Sequence, residues 1–130
     1  MPRMEHVAMW VRDLDLVCAF YEEHFGAVAG KRYENTAKGF ASRFLVFQSG
    51  ARLEVMTTTV LSPVVHEPGA HRMGLTHLAI SLGSENAVTT LTSRLRSRGV
   101  PVPDGPRRTG DGYYESVVLD PEGNRIELTV

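Results

Sequence analysis

Two histidines and two glutamates in this 130-residue chain are the groups best suited to do chemistry together. His6 stands in His6-Val7-Ala8-Met9 and His77 in His77-Leu78-Ala79-Ile80. Glu54 stands in Gly50-Ala51-Arg52-Leu53-Glu54-Val55-Met56 and Glu127 in Gly123-Asn124-Arg125-Ile126-Glu127-Leu128-Thr129. Two imidazoles and two carboxylates make an N₂O₂ donor set. Such a set suits Zn²⁺, Ni²⁺, Co²⁺, Fe²⁺ or Mn²⁺ better than Mg²⁺, because imidazole favours the later transition metals. Taken singly, each has a plainer reading. A histidine in a strand is often structural, and either glutamate could be a solvated strand end or the partner of a nearby arginine. The case for a metal rests on the four occurring as a repeated set.

The elements that must position them repeat as well. Each half carries a helical pattern closed by a glycine, Gly26 and Gly99, and each glutamate follows its glycine by 28 residues. The histidine precedes the glycine by 20 residues in the first half and 22 in the second, so the difference falls on the helix or its entry. Leu14, Val17, Cys18, Tyr21 and Phe25 share one helical face, with Asp13 as N-cap and Gly26 as C′ residue. Val88, Leu91 and Leu95 form the second stripe, between Ser84 as N-cap and Gly99. Strand patterns run over Met4–Val11, Ala27–Asn35, Ser42–Gln48 and Arg52–Thr57. In the second half they follow His77 and run over Val102–Thr109, Tyr113–Leu119 and Arg125–Val130. Gly110-Asp111-Gly112 reads as a hairpin turn and Asp120-Pro121-Glu122-Gly123 as a type I turn. The fold class is therefore α+β, two tandem βαβββ modules. Module 1 is 4–57, module 2 is 75–130, and 58–74, with Pro63, Pro68 and Gly69, is the linker.

Strand alternation explains why the four can converge. His6, Ala8 and Trp10 share one face of the first strand, opposite Val7, Met9 and Val11. Arg52, Glu54 and Met56 oppose Leu53 and Val55. His77, Ala79 and Ser81 oppose Leu78, Ile80 and Leu82, and Arg125, Glu127 and Thr129 oppose Ile126 and Leu128. Each strand thus has an apolar face for its helix and a second face that carries a histidine or glutamate. Ala8 and Ala79 leave room beside the histidines. Trp10 and Met56 would line an apolar pocket or pack as ordinary core residues. His24, His66 and His71 read as surface groups and Cys18 as core. Of Tyr113 and Tyr114, at most one can face the pocket.

The chain resembles the vicinal oxygen chelate superfamily: glyoxalase I, the fosfomycin-resistance thiol transferases, bleomycin-resistance proteins, methylmalonyl-CoA epimerase and extradiol dioxygenases. The resemblance spans the whole chain. It is carried by His6-Val7-Ala8-Met9 leading into Asp13-Leu14, by Phe20-Tyr21 and Phe25-Gly26, and by His77-Leu78-Ala79. Its most specific segment is Leu119-Asp120-Pro121-Glu122-Gly123-Asn124-Arg125-Ile126-Glu127-Leu128. It implies a single domain over 1–130, with curved mixed sheets forming a metal-binding cleft, and a divalent metal held by His6, Glu54, His77 and Glu127. Zn²⁺ or Ni²⁺ is favoured, with Co²⁺, Mn²⁺ and Fe²⁺ compatible. Glyoxalase I fills all four ligand positions, extradiol dioxygenases and fosfomycin enzymes use three, and epimerases typically carry Gln at the Glu54 position. The resemblance therefore implies a glyoxalase I-like lyase or isomerase. It would abstract a proton next to a carbonyl and pass through an enediolate, with Glu127 or Glu54 as general base. The alternatives are an Fe²⁺ extradiol-type dioxygenase and a non-catalytic small-molecule binding protein of the drug-resistance type.

The substrate positions depart from that family. Glutathione-using members have Arg four residues after the first histidine and Asn four after the first glutamate; here those positions are Trp10 and Thr58. Arg107 or Arg108 would supply a basic substrate contact. A different thiol or a small oxo acid is thereby implied. The resemblance also implies a homodimer with sites at the subunit interface. A net charge of −1 and dispersed basic residues argue against nucleic-acid or anionic-membrane partners. The lone cysteine, and a strand pattern that begins at once, point to the cytoplasm.

Overall fold

Asp13 begins the first helix as its spacing predicts. In the computed structural model its side chain accepts a hydrogen bond from the Leu16 amide at 3.0 Å, and Gly26 ends the helix in the left-handed region at φ 66°. Residues 1–63, 67 and 70–130 are described. His66, Pro68 and Gly69 of the expected linker lie outside them. The chain divides into two compact units, Met1–Val64 and Val65–Val130.

The first unit comprises β1 (His6–Trp10), α1 (Leu14–Phe25), β2 (Val28–Ala29), β3 (Tyr33–Asn35), β4 (Phe40–Val46) and β5 (Arg52–Thr58). Its sheet runs β1-β5-β4-β2, with β3 also paired to β4. The second comprises β6 (Leu78–Ser81), α2 (Glu85–Ser97), β7 (Asp104–Arg108), β8 (Tyr114–Leu119) and β9 (Arg125–Thr129), in sheet order β6-β9-β8-β7. The topology is the same in both. The first strand of each unit lies parallel to its last, and the remaining pairings are antiparallel. The expected strand Ala27–Asn35 is in fact two short strands, β2 and β3, separated at Gly30-Lys31-Arg32. β5 extends one residue past its expected end, to Thr58.

Each helix covers the apolar face of its own sheet. In the first unit Leu14, Val17, Cys18 and Tyr21 are buried with Val11, Leu45, Leu53 and Val55. In the second Val88, Leu91 and Leu95 are buried with Val118, Ile126 and Leu128. Each such aliphatic side chain contributes about 1.5–3 kcal/mol. A buried polar tie joins the second helix to its sheet: Thr92 bonds to the Val88 carbonyl at 2.6 Å and to Ser116 at 2.7 Å, which satisfies both buried hydroxyls. Asp120 closes the last turn, accepting from the Glu122 and Asn124 amides at 2.9 and 3.0 Å. Among the described residues no helix is long and apolar enough to cross a membrane.

Candidate functional site

Each helix covers one face of its sheet, so the histidine and glutamate of each unit sit on the other. The pairing registers make the two units equivalent. Ala8 lies opposite Glu54 and Ala79 opposite Glu127, and each histidine is two residues before its alanine on the same face. The result is two similar pairs. His6 Nε2 is 3.9 Å from Glu54 Oε1, and His77 Nε2 is 3.2 Å from Glu127 Oε2. The histidine side chains are 41% and 37% exposed and the glutamates 19% and 21%, so each pair is a half-sunken group open on one side. Within each unit the expected partners are brought together. Among the described residues no three His, Cys, Asp or Glu groups form a single cluster able to hold a metal ion.

The surroundings of the two pairs differ. In the first unit, Nδ1 of His6 hydrogen-bonds to the Glu5 carboxylate. Arg52 holds Glu5 in turn, Nε to Oε1 at 2.8 Å, and its guanidinium lies 4.1 Å from the centre of the Phe44 ring. That ring meets His6 edge-on at 5.4 Å. The hydrogen bond from His6 is the main reason the Glu5 carboxyl lies below its ordinary range. Farther along the same face Trp10 lies opposite Met56, meets Phe40 edge-on at 6.0 Å and is half exposed. Its position at this open face rules out burial as a core residue of its own unit.

In the second unit the additions fall beside the glutamate. Glu115 lies on the same face as Glu127, because Val117 pairs with Glu127 and Glu115 is two residues earlier. Burial pushes the Glu115 carboxyl up, helped by its hydrogen bond to Glu127 and by that group's charge. Arg107 stands over this pair, 3.9 Å from Glu115, and bonds to Asp104 at 2.8 Å. The positions matching Trp10 and Met56 are Ser81 and Thr129, small and polar.

A bulge selects between the two candidate arginines. Asp104 pairs with Val117, but Arg107 pairs with Glu115, one residue out of step. The extra residue is accommodated at Gly105, whose φ of 79° and approach to the Glu115 carbonyl exclude a side chain. Arg107 therefore shares the face of Glu115. Arg108 lies on the helix face, ion-paired to Glu85 and 5.7 Å from the Tyr114 ring centre. Tyr114 also faces the helix, bonded to Thr89 at 2.7 Å. His24 is a correction to the expected surface placement. Its side chain is only 7% exposed, with its ring 4.9 Å from Phe20 one helical turn earlier. His71 is exposed as expected and Cys18 is fully buried. Glu5 and Glu115 were not singled out by sequence. The one available signal was an acidic residue inside the apolar strand Tyr114–Leu119.

A family model for the Glyoxalase/Bleomycin resistance protein/Dioxygenase superfamily matches residues 3–128. The chain belongs to this superfamily. Among solved structures, it is similar to the trypanothione-dependent glyoxalase I of Leishmania major, with 25% identity and a TM-score of 0.77, over 99% of this chain and 86% of that one. The glyoxylase/bleomycin resistance protein/dioxygenase domain from Frankia sp. EAN1pec shares the fold at 20% identity and a TM-score of 0.82, over 100% and 98%. Glyoxalase I from Zea mays shares it at 23% identity and a TM-score of 0.76, over 98% of this chain and 44% of that one. A search of curated proteins gave no match.

Proposed function

We propose that the chain is a divalent-metal-dependent lyase or isomerase of the glyoxalase I type. The observation that carries this reading is the matched register, which sets a histidine beside a glutamate on the open face of each sheet. The donor chemistry of the two pairs fits one divalent cation, with His6 and His77 giving imidazole nitrogens and Glu54 and Glu127 carboxylates. Zn²⁺ or Ni²⁺ is the favoured ion. When bound, the cation supplies Lewis-acid stabilisation of negative charge on substrate oxygens, worth several kcal/mol. The half-sites either complete one another within a chain or pair with those of a second copy in a homodimer, and both arrangements give one metal per chain.

We assign Glu127 as the general base. It removes the proton from the carbon next to the carbonyl, the C–H pair forms a C=C bond as the carbonyl π pair moves onto oxygen, and the same carboxyl returns the proton to the former carbonyl carbon while the adjacent hydroxyl becomes the new carbonyl and its proton passes to the oxyanion. Its neighbours support the assignment. Glu115 shares its face and hydrogen-bonds to it, and burial together with that contact pushes the Glu115 carboxyl up. Arg107 faces both and supplies the basic substrate contact. Trp10 and Met56 line the first half-site, where glutathione-using relatives of the superfamily carry an arginine beside the metal. The substrate is accordingly a hemithioacetal of a thiol other than glutathione, or a small oxo acid. That the Leishmania major enzyme is trypanothione-dependent is a precedent for a different thiol on this fold.

The test is a screen of metal-loaded protein against hemithioacetals of several thiols and against acyl-CoA epimerisation. Turnover without oxygen uptake supports the reading. Oxygen consumption with a catechol, or ligand binding with no turnover at any metal, overturns it.

A further inference from the structure

We infer that Glu5 is a positioning residue that fixes His6 in its Nδ1–H tautomer and so keeps Nε2 as the nitrogen presented toward Glu54. The inference rests on the metal reading above only for what Nε2 then binds. A carboxylate has acceptors alone, so the contact between Glu5 and His6 Nδ1 requires the ring nitrogen to donate. In a neutral imidazole the other nitrogen is then the bare one, and that nitrogen faces Glu54 at 3.9 Å. A metal-ligating histidine whose second nitrogen donates to a carboxylate is held in tautomer and ring orientation, and becomes a more basic ligand.

Three further observations separate this contact from an ordinary surface ion pair. Glu5 is held from the neighbouring strand by Arg52, through Nε at 2.8 Å and a second guanidinium nitrogen at 2.5 Å, so its carboxylate is not free to swing. The backbone fixes the same corner, since the Arg52 amide donates to the Glu5 carbonyl at 3.0 Å. Phe44 then closes the set, stacked under the Arg52 guanidinium and edge-on to the His6 ring. These three groups, Glu5, Arg52 and Phe44, hold the imidazole from its edge and from its far nitrogen. The second unit keeps the arginine, as Arg125, but has Thr76 where the first has Glu5. Thr76 is therefore the internal control.

The experiment reads the histidine directly. Long-range ¹H–¹⁵N correlation spectra of the metal-free protein, recorded above the histidine titration range, report which nitrogen of His6 carries the proton. The wild type should show the Nδ1–H form. Glu5→Ala should shift His6 to a mixture or to Nε2–H, while Glu5→Gln, whose amide oxygen still accepts, should largely restore the wild-type signals. Thr76→Ala should leave His77 unchanged. In parallel, zinc competition with a chromophoric chelator should show Glu5→Ala weakened by about 10–100-fold, Glu5→Gln by less, and Thr76→Ala unaltered. An Nε2–H form of His6 in the wild type, or a Glu5→Ala protein with wild-type His6 signals, overturns the inference. A wild type that takes up no zinc overturns the metal reading instead, and the spectra still decide the role of Glu5.

Discussion

The two units share a skeleton and differ in what surrounds it. Both place a histidine two residues before the alanine that faces a glutamate, on parallel first and last strands. In the first unit the added groups, Glu5, Arg52 and Phe44, gather around the histidine. In the second, Glu115 and Arg107 gather around the glutamate. The shared register is that of a duplication, and on the proposed function the halves take separate tasks: the first orients a metal ligand and the second holds the base. The far ends diverge too, with Trp10 and Met56 apolar and their counterparts Ser81 and Thr129 polar.

If the tasks are divided in this way, equivalent substitutions must have unequal effects. The largest difference is expected between the glutamates. Glu127→Gln should lower kcat by about 10²–10⁴-fold, and Glu54→Gln should cost markedly less, in a steady-state assay with metal held in excess. Equal losses would remove the distinction between ligand and base.

A structural contrast comes next. Gly105 and Gly30 both interrupt the outer strand of their sheets. A Cβ at Gly105 would lie 2.6 Å from the Glu115 carbonyl on a backbone at φ 79°, whereas one at Gly30 makes ordinary contact at 3.5 Å from the Phe44 carbonyl. Thermal or urea unfolding should show Gly105→Ala destabilised by about 1–3 kcal/mol and Gly30→Ala changed by less than about 0.5 kcal/mol. Because the bulge aims Arg107, Gly105→Ala should also raise KM.

At the far ends, Trp10→Ala should raise KM roughly fivefold, in line with the loss of an aromatic contact worth about 1 kcal/mol, while Ser81→Ala leaves it near wild type. The reverse ranking would move the apolar part of the substrate to the second unit.

The smallest effect is one of sign. Glu5, facing His6 and Arg52, has its carboxyl lowered, so it contributes stability above its unfolded pKa that is lost as pH falls through its folded value. Glu115, facing Glu127, Arg107 and Asp111, has its carboxyl raised, so its ionisation destabilises the fold as pH rises through the folded value. In metal-free protein near neutral pH, Glu5→Gln should lower Tm slightly and Glu115→Gln should raise it. The two variants should converge toward wild type in acid.

Local signals carried most of this architecture. Asp13, Ser84, Gly26 and Gly99 mark the helix ends in the sequence, and alternation alone assigns His6, Glu54, His77 and Glu127 to the faces away from the helices. What remained hidden depends on contacts between distant segments. Arg107 and Arg108 are neighbours in sequence, and only the bulge at Gly105 decides which faces the carboxylates. Glu5 precedes the strand, where alternation has no force, and gains its place from Arg52, 47 residues away. Glu115 depends on the β8–β9 register. His24 is covered by Phe20, a neighbour its helical spacing allowed but did not require.

The central claim is that the two pairs act as one metal site, and metal stoichiometry tests it most directly. Titration of metal-free protein with Zn²⁺, followed by calorimetry and elemental analysis, should give one tight equivalent per chain, lost in His6→Ala and in His77→Ala alike. No tight uptake, two equivalents per chain, or uptake that survives removal of either histidine would contradict the account.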